Sequence, residues 1–505
     1  MDYDAIIVGS GLAGLVAGAK LAKEGKKVLI LEQHITSGGY ASGYTRDDYR
    51  IDLSLHSMDG LHALDPKIRI FEELDVIFNI EFIKIKTGYY RYKNSRVDFN
   101  ISDKIEDAIL SLSKLYPNEK KNIEKFFKTL SDLEEKSHNI PTVKAKQALT
   151  VPLEPTNYSS IPKWGDKSAG DLLDTIFENE DLKLALTGTL QYYSDNPYNL
   201  SAVFYSLALS SRFKGGSHYI KGGSVKLSNH LANFIKEKGG GLIFDRKVSK
   251  ILIKGNKAYG VEYVSTKRRD SQPVQVLGKY VIVNAPVPHA VNELIPAKQS
   301  KSLKEEVNKL KVGHSTLNIF LCFNTLLSEL GHNSYSTVVH EEGINTLADL
   351  EHNNKQDYSK RNYIFIDYGQ IESGLTQPGK STGTVSVIDY LENWEGLTED
   401  EYNKKKLDVT NTLIDRVNRL IPGVKQYIEF VDISTPLTKK NNTLNPNGTS
   451  IGFAQTINQA GQKRFKVKST IKNLFFTSAW TYPGGGYSSS FLSGWQCALN
   501  VLDEF

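Results

Sequence analysis

Gly9-Ser10-Gly11-Leu12-Ala13-Gly14, with Glu32 downstream, is the stretch on which the fold turns. It reads G-x-G-x-x-G. It follows an apolar run at residues 3–8 and opens a segment, Gly11 to Lys23, with Leu12, Leu15, Val16, Ala19 and Leu21 at helical spacing. Lys27 to Leu31 is a second apolar strand, so the N-terminus predicts a βαβ unit that binds a dinucleotide. Gly9 permits the tight turn, Gly11 lets a pyrophosphate approach where a Cβ would collide, and Gly14 allows close helix–strand packing. The helix start offers unpaired N–H groups and a partial positive charge to phosphates. Glu32 ends the second strand, where a carboxylate accepts from a ribose 2′-OH and repels a 2′-phosphate.

A second glycine pair, Gly38-Gly39, follows Glu32 after five residues. A nicotinamide dinucleotide has no use for it; a ligand that continues past the pyrophosphate does. Near the other end, Asn473 to Gly486 predicts a strand and a Pro-Gly-Gly-Gly loop, followed by a helix from about Ser488. Gly485, Gly486 and Tyr487 would offer backbone N–H groups to the ribityl and pyrimidine ends of a flavin. The two features together point to non-covalent FAD.

Composition narrows the function. The 505 residues exceed one hydrophobic core, and a formal charge of +5 gives no case for nucleic acid. Cys322 and Cys497 form no C-x-x-C, so neither a dithiol centre nor a metal site is expected, and two isolated thiols suit a reducing cytoplasm. The start, Met1-Asp2-Tyr3-Asp4, is acidic where a signal peptide is basic, and no apolar run is long enough to span a bilayer.

The expected fold class is α/β, with a Rossmann-type FAD-binding domain of the glutathione reductase kind and an inserted α+β substrate domain. Nucleotide-fold signals recur at 1–101, 216–290 and 446–505. A mainly helical segment at 102–215, broken by Pro117, Pro141, Pro152, Pro155, Pro162 and Pro197, and a β-rich segment at 291–445 lie between them. A long amphipathic helix is expected at Glu399–Leu420. Tyr192, Tyr193, Tyr198, Phe204 and Tyr205 read either as the lining of an apolar tunnel or as ordinary helix core.

The chain resembles the phytoene desaturase, carotenoid isomerase and retinol saturase family of FAD-dependent oxidoreductases. The resemblance rests on GSGLAGLVAGAKLAKEGKKVLILEQHITSGGYASGY (Gly9–Tyr44), on Asp52 with His56, and on Tyr219-Ile220-Lys221-Gly222-Gly223-Ser224. It extends to Gly241–Ile251, Val283-Asn284-Ala285 and TSAWTYPGGGYSSSFLSGW (Thr477–Trp495). It implies cofactor contacts at Leu12, Ala13, Gln33, Gly39, Tyr40, Ala41, Val248, Ala285 and Ala479, besides Gly9, Gly11, Gly14, Glu32, Gly485, Gly486 and Tyr487. Trp480 and Tyr482 are expected near the flavin ring, with ordinary packing as the other reading.

The family implies hydride exchange with an allylic or conjugated carbon of an apolar small molecule, or double-bond isomerisation. His56 is the candidate to protonate a carbon or hold a substrate oxygen, and a structural histidine is the alternative. Two departures point toward saturase-like, isomerase-like or as yet uncharacterised members of the family: Ala479 where desaturases often carry Asp, and Gly38-Gly39-Tyr40 where they carry Gly-Gly-Arg. No second G-x-G-x-x-G follows a strand, so NAD(P)H enters only as a transient reductant. An amphipathic helix within about 160–215 would give peripheral membrane contact. An amine-oxidase-type flavoenzyme and a lipid escort of the GDP dissociation inhibitor type share this fold and remain as alternatives.

Overall fold

The computed structural model describes residues 1–63, 65–138, 160–268 and 272–505. Pro141, Pro152 and Pro155 lie outside them. The first strand (Tyr3–Val8) is central to a parallel sheet with Val28–Leu31 on one side and Val274–Val283 on the other. Gly241–Ile243 extends the sheet beyond Val28–Leu31, and Leu474–Phe476 pairs in parallel with the end of Val274–Val283. Ala5, Ile6, Ile7, Val28, Ile30, Ile282 and Val283 are all fully buried, as strands covered on both faces require. The start of Val274–Val283 turns away into an antiparallel meander with Lys257–Ser265 and Arg246–Lys254. Three distant chain segments thus share one sheet.

The helix Leu12–Lys23 is buried along almost its whole length, against the helices Ser224–Glu237 and Tyr487–Leu502. Contact is close enough to be backbone on side chain. A Cβ on Gly18 would lie 2.8 Å from Ile30 Cδ1, and one on Gly494 would lie 2.3 Å from the Ala13 carbonyl.

The second sheet orders Ile428–Ser434, Ser315–Phe323, Ser381–Asp389, Tyr363–Asp367, Ser336–Val339, Tyr90–Lys93 and Asp98–Ile101. Strand Ser315–Phe323 puts Leu317, Ile319 and Leu321 into a core beneath the helix Glu399–Leu420 and leaves Thr316, Asn318 and Phe320 on its other face. Tyr90–Lys93 and Asp98–Ile101 hydrogen-bond into this sheet, although they fall within the 1–101 segment grouped above with the nucleotide fold. The expected amphipathic helix in 160–215 is instead a series: Ser160–Gly165, Ala169–Ile176, Glu180–Leu186 and Ala202–Gly215. Ser168, Asn179 and Ser201 each cap a fresh start, which divides the stretch. Among the described residues no helix is long and apolar enough to cross a membrane.

Asp52 stitches the nucleotide segments together. Its buried carboxylate accepts from Ser224 N (2.6 Å) and Ser224 Oγ (3.1 Å) at the start of Ser224–Glu237, and from the backbone N–H groups of Ser54 (3.1 Å) and Leu55 (2.9 Å). Burial raises its pKa, and these donors oppose the rise. Asp52→Ala leaves three buried N–H groups without this partner, so we expect a loss on the order of 3 kcal/mol, read as a lower midpoint in urea or thermal unfolding.

Candidate functional site

One cavity of about 1440 Å³ runs between the two sheets, from the first glycine turn to the helices of the inserted segment. At its nucleotide end, Gly9, Gly11, Leu12 and Ala13 line the wall. Gly14 does not. It lies beneath the turn, where a Cβ would meet the Gly9 carbonyl at 2.5 Å. Gly11 is constrained by more than a ligand, because a Cβ there would lie 2.7 Å from Nδ2 of Asn284, which donates to the Gly9 carbonyl at 3.2 Å. Asn284 therefore clamps the turn from the neighbouring strand end.

Glu32 accepts from Ser10 N (2.7 Å), Ser10 Oγ (2.8 Å) and His34 N (2.9 Å), which aims the carboxylate beside the turn. The second glycine pair packs against the first: Gly38 N donates to the Ser10 carbonyl at 2.9 Å. At Gly38, φ is +111°, and a Cβ would lie 2.1 Å from the Ala41 carbonyl, so only glycine fits. Gln33, Gly39, Tyr40, Ala41, Val248 and Ala285 continue the lining.

From the opposite side, Ala479, Gly485, Gly486 and Tyr487 close over the groove. Gly485 rests on the Ile451 backbone, with 2.6 Å from an added Cβ to the carbonyl. Arg464, which the sequence reading passed over, organises this loop. Its buried guanidinium donates to the carbonyls of Phe453 (2.8 Å), Ala479 (2.6 Å) and Thr481 (3.1 Å), and burial lowers its pKa to about 9. The helices that begin at Leu12 and Tyr487 have glycine at the N-cap, no side-chain cap and no acidic residue in the first turn. Two uncapped helix starts at either side of one groove fit a ligand with a pyrophosphate and a ring rich in carbonyls.

Beyond the groove the cavity becomes an apolar chamber lined by Tyr192, Tyr193, Val203, Phe204, Leu207 and Phe320. Tyr205 is instead core, donating to the Leu186 carbonyl, and Tyr198 reaches Asp174 at the surface. Trp480 and Tyr482 both line the cavity; Trp480 packs edge-on against Phe453 and donates to Asn445, while Tyr482 is partly open to solvent. His56 faces the chamber, its ring tilted 35° against Tyr192 at a centroid distance of 5.6 Å, with Nδ1 3.2 Å from the Tyr368 hydroxyl. Burial, reinforced by Lys439, lowers its pKa to about 4, so the ring is neutral at pH 7.

Lys439 is the second titratable group that the sequence did not flag. It lies on the helix Pro436–Thr443, is buried, and donates from Nζ to the Thr316 carbonyl (2.8 Å) and Oγ1 (2.5 Å). Burial lowers its pKa to about 7, with Asp389 pulling the other way. Among the described residues no group of His, Cys, Asp and Glu side chains is placed to hold a metal ion.

Residues 12–502 match the family model for flavin-containing amine oxidoreductases. The chain belongs to that family. It is an FAD-dependent oxidoreductase, and the glycine groove suits that cofactor. Among curated relatives, this flavoenzyme is 25% identical to the all-trans-retinol 13,14-reductase of Danio rerio, over 94% of this chain and 82% of the relative. It is 27% identical to the chloroplastic prolycopene isomerase of Arabidopsis thaliana, over 99% of this chain and 83% of the relative. Among solved structures, the cyclohexylamine oxidase of Brevibacterium oxydans shares the fold with a TM-score of 0.62 at 14% identity, covering 100% of this chain and 99% of that one.

The depressed pKa values of the flavoenzyme carry a sign. Between pH 6.5 and about 4 the folded state binds fewer protons at His56 than the unfolded state, so that stability is present above pH 6.5 and lost as pH falls. His56→Gln should flatten this part of the profile of melting temperature against pH. At Lys439 the corresponding loss runs from pH 10.5 down to about 7, so Lys439→Met should gain on the wild type as pH falls through that window. Melts across pH check both; parallel curves would show that neither residue is desolvated.

Proposed function

We propose that this flavoenzyme exchanges hydride between FAD and a C–C or C=C bond of an apolar polyene or isoprenoid-like molecule, by saturation, desaturation or isomerisation. The observation that carries the reading is the continuity of the glycine groove with an aromatic and aliphatic chamber large enough for an extended chain. The likeness to a retinol reductase and a prolycopene isomerase supports it.

In this reading FAD lies against Gly9, Gly11, Leu12, Ala13, Glu32, Gln33, Gly39, Tyr40, Ala41, Val248, Ala285, Ala479, Gly485, Gly486 and Tyr487, with Gly14 supporting the turn from beneath. FAD supplies the two-electron chemistry; the chain binds, orients and excludes water. Neutral His56 holds a substrate oxygen or accepts a proton. The cofactor domain comprises the three nucleotide segments apart from the strands Tyr90–Lys93 and Asp98–Ile101, which pair into the second sheet, and the inserted segments supply the substrate chamber. NAD(P)H serves as a transient reductant, and the protein works in the cytoplasm with peripheral membrane contact.

Purified protein should be yellow, with one FAD per chain. Gly11→Val should lose the flavin, because its side chain meets Asn284. Anaerobic mixing decides the chemistry: bleaching by a polyene supports desaturation, and bleaching by NADPH or NADH, followed by recovery with a polyene, supports saturation. Bleaching by a primary amine, with no response to any polyene, would replace the reading with C–N oxidation.

A further inference from the structure

Building on the polyene reading, we propose that Lys439 is the proton-exchanging residue of the reaction, serving the carbon adjacent to the one that exchanges hydride with the flavin. Hydride addition to one carbon of a conjugated double bond leaves an electron pair on its neighbour, which must take a proton. Tyr192, Tyr193, Phe204 and Leu207 wall the part of the chamber that suits an apolar chain, so a positioned side chain is a better proton donor to that carbon than bulk water.

The ionisable groups that face this space divide clearly. Asp59 would be raised by burial, but Lys67 and Arg212 bring it well below the usual carboxylate range, and Ser211 and Ser488 donate to it at 2.6 and 2.7 Å. Glu134 is held by Lys214, and Lys67 by Asp65 at 2.7 Å. Arg212 does not deprotonate near neutrality. His56 is a poor acid because it is already neutral. Lys439 differs from all of these. Its ammonium is buried, its two hydrogen bonds go to the uncharged Thr316, and no carboxylate lies within ion-pair distance among the described residues. Two of its three N–H groups are engaged, which leaves one for the chamber it lines.

The titratable groups that face it are His56, from the loop after Tyr49–Asp52, and His314, just before Ser315–Phe323, both of whose pKa values Lys439 helps to lower; Asp389, at the end of Ser381–Asp389, is the charge that acts on the lysine itself. On its own helix, Lys440 is taken by Glu395 at 2.5 Å. A desolvated amine exchanging its proton near pH 7 is matched to general acid–base work.

The step balances. In saturation, reduced flavin gives the hydride with its electron pair to one carbon. Lys439 gives its proton to the other, so one π bond is replaced by two C–H bonds. The neutral amine is then reprotonated from solvent. The reducing equivalents come from a nicotinamide or dithionite. In desaturation Lys439 starts neutral and takes the proton.

The test uses FAD-loaded protein reduced anaerobically and mixed with all-trans-retinol, following flavin recovery against pH. Wild type should slow above about pH 7. Lys439→Met should be about 10²–10⁴-fold slower and lose that break, with FAD content and retinol affinity retained. Lys439→Arg should also bind but not recover the rate. Thr316→Val, which keeps the lysine and removes one acceptor, should move the break to lower pH. Independently of turnover, carbon-13 NMR of methylated lysines should show one resonance, absent from Lys439→Met, titrating near neutrality. A Lys439→Met rate within threefold of wild type, or a Lys439 resonance titrating near 10.5, would overturn the proposal and leave the polyene reading intact. A wild type that reacts with no polyene removes both.

Discussion

The structure depends on a backbone turn held with almost no room to spare. The turn Gly9–Gly14 is pressed from below by its own helix, from the side by Asn284 and from the front by Gly38. Each contact involves main-chain atoms or a short amide, so no side chain intrudes on the space where phosphates approach the helix start. The geometry needs chain segments that are far apart in sequence. Asn284 arrives just past the end of the strand Val274–Val283, and the helix Tyr487–Leu502 packs back on Leu12–Lys23. The same sheet that forms the core thus builds the groove.

Chemistry is added where the second sheet faces that groove. One strand, Ser315–Phe323, serves two purposes through its two-residue period: Leu317, Ile319 and Leu321 anchor the inserted domain, while Thr316 and Phe320 face the cavity. The chamber is therefore rigid on one side and lined by the helix Ala202–Gly215 on the other. Within it, His56 and Lys439 are both pushed toward their neutral forms by burial, and Lys439 adds to the effect on His56. Such a pair favours reactions in which charge appears only transiently, as when a conjugated carbon gains or loses hydride.

Much of this was legible from residues. The glycine turn, Glu32 and Gly38-Gly39 announced a dinucleotide groove because their chemistry is local: a turn, a close approach, an acid at a strand end. Of the cofactor residues named from sequence, all but Gly14 line the cavity, and Gly14 supports it. The helix Glu399–Leu420 was readable to its ends because Thr398 caps it with Glu401 in reply. What the sequence hid was long-range. Nothing near Arg464 says that it will gather carbonyls from two loops, and Lys439 sits in an ordinary polar helix whose partner, Thr316, lies more than a hundred residues away. The strands Tyr90–Lys93 and Asp98–Ile101 stand close in sequence to the nucleotide fold, yet Tyr90–Lys93 pairs with the distant Ser336–Val339 and carries Asp98–Ile101 as the sheet edge. The aromatic residues at 192–205 divide among chamber, core and surface because Tyr192 and Tyr193 sit on a short turn, Leu190–Tyr192, apart from the helix that Ser201 starts for Phe204 and Tyr205, a break that spacing alone does not resolve.

The most direct measurement is a crystal structure of the FAD-loaded protein with a bound polyene. The account predicts one FAD, with its pyrophosphate on the start of Leu12–Lys23, its ribose at Glu32 and its ring beneath Gly485–Tyr487, and the polyene lying in the chamber beside His56 and Lys439. A flavin bound elsewhere, or a polyene excluded from that chamber, would contradict it.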